Sequence, residues 1–161
     1  MMLRTYSSAL CGQHWLSEVS DVTIDKTTLS VGKELPTFEI HITRADLVRY
    51  AGASGDLNVI HWNERVAKEV GLPNVIAHGM LTMGQALNVV TRWLGSSVPI
   101  LEYSVRFSNP VVVPDDEVGT KVQFSGTIAE IKDNGEIKID ISAVCEDKKV
   151  LTRAYAIVQI P

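Results

Sequence analysis

The sequence is short of the features that mark several large classes of protein. Only two of its 161 residues are cysteine, six are proline and three are phenylalanine. The two cysteines, Cys11 and Cys145, are too few for a disulfide framework and fit a reducing compartment. No stretch approaches the roughly 20 apolar residues that a membrane-spanning helix needs. We therefore expect a cytoplasmic protein that is not embedded in a membrane.

An excess of positive charge is also lacking. Lysine and arginine total 15 against 19 acidic residues, which gives a net charge of −4 and argues against binding to nucleic acid or to a membrane surface. The sequence has neither a Gly-x-Ser-x-Gly motif nor a glycine-rich phosphate loop. What is present is 45% hydrophobic and 21% charged residues, which is typical of one globular domain with a sizeable core.

Hydrophobic periodicity divides the chain into a tail and one domain. Residues 1–30 show no clear period, and we expect a flexible tail there and a single domain over residues 31–161. Residues 37–42 alternate as a strand does, and Thr43 and Asp46 resemble a capping box at the start of a helix that Gly52 and Gly55 would end. Val48 is expected on the apolar face of that helix.

A second, longer helix and several strands follow. Apolar residues recur at helical spacing and predict one buried side, formed by Met80, Met83, Leu87, Val90 and Leu94. The rest of the chain indicates strands over residues 100–107, 111–113, 122–128, 137–145 and 150–160, with a hairpin turn at Asp133-Asn134-Gly135. One long helix among many strands predicts an α+β fold in which a sheet wraps over a helix.

Two polar breaks carry the residues that could do chemistry. Asp56 and His61 lie five positions apart in the segment Gly55-Asp56-Leu57-Asn58-Val59-Ile60-His61, and such a pair can share a water or a substrate proton. The second break, Ala77-His78-Gly79, opens directly into the long helix, whose first N–H groups suit a developing negative charge. Together they indicate an enzyme that acts on a carbonyl compound.

Other interpretations of these residues remain open at this point. Asp and Asn in a turn often bond only to their own backbone, and His78 could simply brace the helix that follows it. Asp56, His61 and His78 could also form a metal triad, although their spacing is not a standard one. We expect no metal.

Three ordered motifs resemble a known family. They are Tyr50-Ala51-Gly52-Ala53-Ser54-Gly55-Asp56-Leu57-Asn58-Val59-Ile60-His61 with Ala67, then Ile76-Ala77-His78-Gly79-Met80-Leu81, and then Val105-Arg106-Phe107 with Pro110-Val111. They resemble the MaoC-like (R)-specific hydratase/dehydratase family, from about Val31 to the end of the chain. Within it, Thr43 to Met83 and the strand from Glu102 to Phe107 look like the catalytic β subunit of actinobacterial (3R)-hydroxyacyl-ACP dehydratases. Val59 stands where the family usually has proline.

The resemblance implies a hot-dog fold, a curved antiparallel sheet around a central helix, and a reaction. The reaction is reversible conversion between trans-2-enoyl and (3R)-3-hydroxyacyl thioesters, as in the dehydratase step of type II fatty-acid synthesis, with no cofactor. The implied catalytic pair is Asp56 and His61, with the Gly79 N–H as oxyanion donor. The implied substrate-binding residues are Asn58, His78, Met80, Met83 and Arg106.

The implied partners are an acyl thioester of CoA or acyl carrier protein and a second hot-dog subunit, in a homodimer or a heterodimer. Two rival functions remain open. A hot-dog thioesterase would release a free thiol from an acyl thioester. An acyl-binding subunit without its own activity would bind the substrate and not turn it over.

Overall fold

The computed structural model describes residues 28–94 and 98–160 of the chain. The expected tail, 1–30, lies almost wholly outside these residues, and its flexibility stays a prediction. Within the described ranges, no helix has the length and hydropathy of a membrane span. The elements in chain order are β1 Phe38–Ile42, α1 Arg44–Ser54, a 3-10 turn Val59–His61, α2 Glu64–Glu69, α3 Gly79–Leu94, β2 Ile100–Phe107, β3 Thr120–Ile131, β4 Glu136–Cys145 and β5 Lys148–Gln159.

The five strands form one antiparallel sheet in the order β1-β3-β4-β5-β2. Strand β4 alternates as the sequence predicts, because Ile137, Ile139, Ile141, Ala143 and Cys145 are buried. Helix α3 packs on this buried face of the sheet. A Cβ on Gly126 of β3 would lie 2.6 Å from Cγ1 of Val89 in α3, so only glycine permits this close approach. The predicted α+β fold is confirmed.

The side of α3 that faces the sheet matches the prediction only in part. Met80 is 56% exposed, and Met83 and Leu87 are only partly buried. The prediction was correct for Val90 and Leu94, but small side chains fill the rest of the contact where helix and sheet approach closely. The buried residues of α3 are Thr82, Ala86, Val89, Val90 and Leu94.

Local signals at α1 were predicted mostly correctly. Thr43 and Asp46 form a capping box: the Asp46 N–H donates to the Thr43 side chain, and the Thr43 N–H donates to the Asp46 carboxylate. Gly55 ends the helix with φ of 75°, but Gly52 lies inside it, contrary to the prediction. Val48 is also exposed rather than part of the apolar face.

The hairpin turn between β3 and β4 forms as predicted, and Gly135 takes a left-handed φ of 83°. The predicted strand at residues 111–113 is instead one isolated antiparallel bridge between Val112 and Ile76. Two backbone bonds flank this bridge: the Ala77 N–H donates to Val111 O at 2.8 Å, and the Val113 N–H donates to Val75 O at 2.9 Å. This pairing places the second polar break beside the first, because Ile76 immediately precedes Ala77-His78-Gly79.

Candidate active site

The Asp56 carboxylate lies on an exposed loop just after α1. Gly55 turns the chain out of the helix, and its N–H donates to Ala51 O. The Asp56 N–H then donates to Ser54 Oγ at 3.2 Å, and the Asn58 N–H donates to Asp56 Oδ1 at 3.2 Å. One carboxylate oxygen is therefore fixed by the local turn, while the side chain stays open to solvent.

The side chain of Asn58 begins the 3-10 turn that presents His61. Its Oδ1 accepts from the Ile60 N–H at 3.3 Å, so in this structure Asn58 shapes the loop. His61, at the end of the turn, is only 7% exposed, and its Nδ1 lies 2.7 Å from Ile76 O. Because a carbonyl can only accept, Nδ1 carries a proton, and in the neutral imidazole Nε2 is then the nitrogen with a lone pair.

The carbonyl that orients His61 is itself held in place. The Ile76 N–H donates to Ile60 O at 3.3 Å, and Ile76 pairs with Val112 in the isolated bridge. The imidazole is thus anchored to backbone that is paired on both sides. Since His61 and Ile76 lie 15 positions apart, this anchor depends on the tertiary fold.

The ring of His78 is the most buried polar group of the site, with 1% exposure. It stacks on the His61 ring with centroids 3.8 Å apart and an interplanar angle of 27°. Its Nε2 donates to the backbone carbonyl of Asp56 at 3.2 Å, and the ring of Tyr50 lies 4.9 Å away. Burial lowers the pKa of His78, and the neighbouring His61 lowers it further, so the ring is held in its neutral form.

The structure brings Asp56, His61 and His78 together. Their potential ligand atoms lie within 4.8 Å of one another. Nearly parallel stacked rings direct their lone pairs along their own planes rather than toward one point, which does not suit a tetrahedral metal site. The geometry is more compatible with an acid–base role for Asp56 and His61 than with a metal site.

The backbone of Gly79 faces the same space as His61. Both line a cavity of about 240 Å³ together with Thr82 and Phe107. Gly79 is the first residue of α3, where an N–H has no intrahelical partner and the helix dipole is positive. A Cβ at position 79 would lie 3.1 Å from the Phe107 ring, so glycine keeps the backbone accessible here.

Other residues predicted for the site lie outside this cavity. Met80 is mostly exposed, and Arg106 is exposed on β2. Met83 is partly buried, and its carbonyl accepts from the Tyr103 hydroxyl at 2.6 Å. Their roles in substrate binding stay predictions.

Sequence reasoning did not assign a role to two residues that shape the site. Phe107 belongs to the third motif, and its ring lies against Gly79. Tyr50 opens the first motif, and its ring lies against His78. Both residues belong to the motifs that resemble the MaoC-like family, and this membership could have identified them.

The sequence matches the MaoC-like domain family over residues 26–145. The chain belongs to this family. Among curated relatives, 80 residues are 44% identical to 3-hydroxyacyl-thioester dehydratase X of Mycobacterium tuberculosis, covering 49% of this chain and 27% of that protein. A stretch of 92 residues is 35% identical to an (R)-specific enoyl-CoA hydratase of Rhodospirillum rubrum, covering 56% of this chain and 63% of that one. The chain therefore spans about a quarter of the first relative.

Solved structures agree with the family assignment. A MaoC-like dehydratase superposes with a TM-score of 0.80 and 38% identity over 84% of this chain and 42% of its own. The HadBC (3R)-hydroxyacyl-ACP dehydratase complex of M. tuberculosis superposes with a TM-score of 0.65 over 82% of this chain and 98% of that one, but at 16% identity it shows the fold alone. The hot-dog fold expected from the resemblance is confirmed.

Proposed function

We propose that this MaoC-like domain adds water reversibly to trans-2-enoyl thioesters to give (3R)-3-hydroxyacyl thioesters. The observation that carries the proposal is the pairing of the Asp56 carboxylate with His61, beside the open backbone of Gly79. The names of the two relatives, a 3-hydroxyacyl-thioester dehydratase and an (R)-specific enoyl-CoA hydratase, support it.

The hydrogen-bonding atoms of the pair suit a catalytic water. With Nδ1 of His61 donating to Ile76 O, Nε2 of the neutral ring and a carboxylate oxygen of Asp56 can both accept hydrogen bonds. A water that donates one O–H to each turns an oxygen lone pair outward, toward Cβ of the substrate. One acceptor takes a proton as the C–O bond forms, and a proton is delivered to Cα, so the pair ends as it began. Such catalysis typically contributes about 10²–10⁴ in rate.

In this proposal the Gly79 N–H stabilises the enolate. As oxygen attacks Cβ, negative charge builds on the thioester oxygen, and an N–H at the start of α3 can donate to it with help from the helix dipole. His61 and Gly79 line the same cavity, so one substrate can meet both. The thioester itself acidifies Cα, and the proposal needs no cofactor.

The dimensions of the cavity support a partner subunit. About 240 Å³ is below the usual range for sites that enclose whole small ligands, which begins at about 300 Å³. Strand β2 is an edge of the sheet, and Leu101 and Phe107 on it are about half exposed. We propose that a second hot-dog subunit, identical or related, covers this edge and completes the acyl site.

We propose that the substrate is carried by CoA or by acyl carrier protein. We also propose that the protein is cytoplasmic. The free, buried Cys145 fits a reducing compartment.

The test is hydration of trans-2-butenoyl-CoA by the purified chain, followed by loss of the enoyl thioester absorbance and by chiral analysis of the product. Asp56→Asn and His61→Ala are each expected to lower kcat/KM by at least about 10²-fold, because the first removes the basic carboxylate and the second removes the imidazole. Asp115→Asn, at an exposed loop position outside the site, is the matched control and should behave as the wild type.

Each rival has a distinct outcome in the same assay. Release of free thiol without 3-hydroxyacyl product would indicate a thioesterase. Binding of the thioester without turnover, also when the native partner subunit is supplied, would indicate an acyl-binding subunit. Hydration at the wild-type rate in Asp56→Asn would refute the acid–base assignment.

A further inference from the structure

His78 contacts both members of the proposed catalytic pair from the protein interior. Its ring lies against the His61 ring at 3.8 Å, and its Nε2–H donates to the backbone carbonyl of Asp56. It does not line the cavity that His61 and Gly79 share, and it is 1% exposed. A group so placed acts on the substrate only through its neighbours.

We propose that His78 is a positioning residue that sets the separation of Asp56 and His61, by tying the Asp56 loop with its Nε2–H and supporting the His61 ring with its face. This inference rests on the proposed function, since it concerns how the same site is assembled. It replaces direct substrate binding as the role of this side chain.

The chemistry of imidazole explains why histidine suits this position. The side chain must be flat to stack on His61, and it must carry an N–H at its far end to reach the Asp56 carbonyl. Phenylalanine supplies the first property and glutamine supplies the second, but a neutral histidine supplies both.

The surroundings keep this imidazole neutral. The titratable groups that face it are His61, Asp56 and Tyr50. A proton on His78 would place a positive charge in a buried site against the ring of His61. Burial and the neighbouring His61 both oppose this protonation. Among the residues that the structure describes, none bonds to the buried Nδ1 of His78, and an unpaired buried acceptor costs stability.

The experiment separates the two contacts. His78→Gln keeps a donor for the Asp56 carbonyl and loses the ring, whereas His78→Phe keeps the ring and loses the donor. Each variant is expected to lower kcat for enoyl-CoA hydration by about 10- to 100-fold, because small displacements of reacting groups cost that much. KM should change by less than about twofold, since ground-state binding is untouched.

A second readout does not depend on turnover. Long-range ¹H–¹⁵N NMR of the histidine rings at neutral pH should show His61 as the Nδ1–H tautomer and His78 as the Nε2–H tautomer in the wild-type chain. In both variants the His61 signals should shift and broaden as the ring loses its support. His41→Gln is the matched control, since His41 is exposed and bonds to the Val118 carbonyl.

The outcomes decide between three roles. Raised KM with unchanged kcat would show that His78 contacts substrate and would overturn the proposal. Wild-type kcat with unchanged His61 signals would reduce His78 to packing and would also overturn it. If the wild-type chain does not hydrate enoyl thioesters even with its native partner subunit supplied, the proposed function fails, and the NMR arm still tests the positioning. Should both variants unfold, a wild-type spectrum with His78 in the Nδ1–H tautomer would be decisive against the proposal.

Discussion

A methyl group at position 79 tests the oxyanion assignment without removing a side chain. The Cβ of Gly79→Ala would lie 3.1 Å from Cε1 of Phe107, a few tenths of an ångström inside ordinary carbon contact at about 3.5 Å. Phe107 is 49% exposed and can move by that distance. Alanine has a higher helix propensity than glycine by up to about 1 kcal/mol, and this gain offsets the strain of the contact with Phe107. We expect the free energy of unfolding to change by no more than about 1 kcal/mol.

The effect on catalysis should be much larger. The new methyl group is attached next to the N–H that would receive the thioester oxygen, and the displaced Phe107 ring lines the same cavity. A displacement of the thioester by about 1 Å can lower the rate by about 10²-fold. The expected result is a fall in kcat/KM of about 10- to 100-fold with a melting temperature within a few degrees of the wild type.

Gly84→Ala is the matched control, because it makes the same change in the same helix. A Cβ there meets no atom within 4 Å, and the position is exposed. It should stabilise α3 by up to about 1 kcal/mol and leave hydration unchanged. Gly79→Ala with kcat/KM within about twofold of the wild type would refute the role of the Gly79 backbone. Equal losses in both variants would point to the helix rather than the oxyanion position.

Three further predictions use other parts of the structure. Val59→Pro, at the first position of the 3-10 turn, should raise the free energy of unfolding in urea by about 0.4–1 kcal/mol and keep activity, because the N–H there needs no partner. Gly126→Ala should destabilise the fold by about 1–3 kcal/mol in the same urea measurement, since its Cβ would meet Val89 at 2.6 Å. Because the pKa of His78 is lowered in the folded chain, the unfolded chain binds a proton more readily, and the free energy of unfolding should fall as pH drops below 6.5. His78→Phe should weaken this fall, as measured by urea denaturation at a series of pH values.

Local sequence signals predicted local structure well. The Thr43–Asp46 capping box and the alternation of β4 each depend on residues a few positions apart, and both are present. The pair Asp56 and His61 was recognisable for the same reason, since it lies within one short segment. Such features can be predicted because they depend on the backbone geometry of one element and on which of its sides faces the core.

Tertiary contacts explain what local patterns missed. The buried side of α3 depends on how closely Gly126 lets the helix approach the sheet, which helical spacing alone does not reveal. The segment around Val112 is apolar enough for a strand but finds only Ile76 as its bridge partner. The stacking of His78 on His61 joins two motifs 17 positions apart, and only the folded chain brings them together.

The two members of the proposed catalytic pair are held to different degrees, and this bears on the valine at position 59. His61 is anchored by the Ile76 carbonyl and by a stacked ring, whereas Asp56 lies on an exposed loop. Proline would stiffen that loop through its fixed φ. Here the Asn58 cap and the His78 bond to the Asp56 carbonyl restrain it instead. The loop is thus restrained from the protein interior, and the carboxylate stays free to bind water.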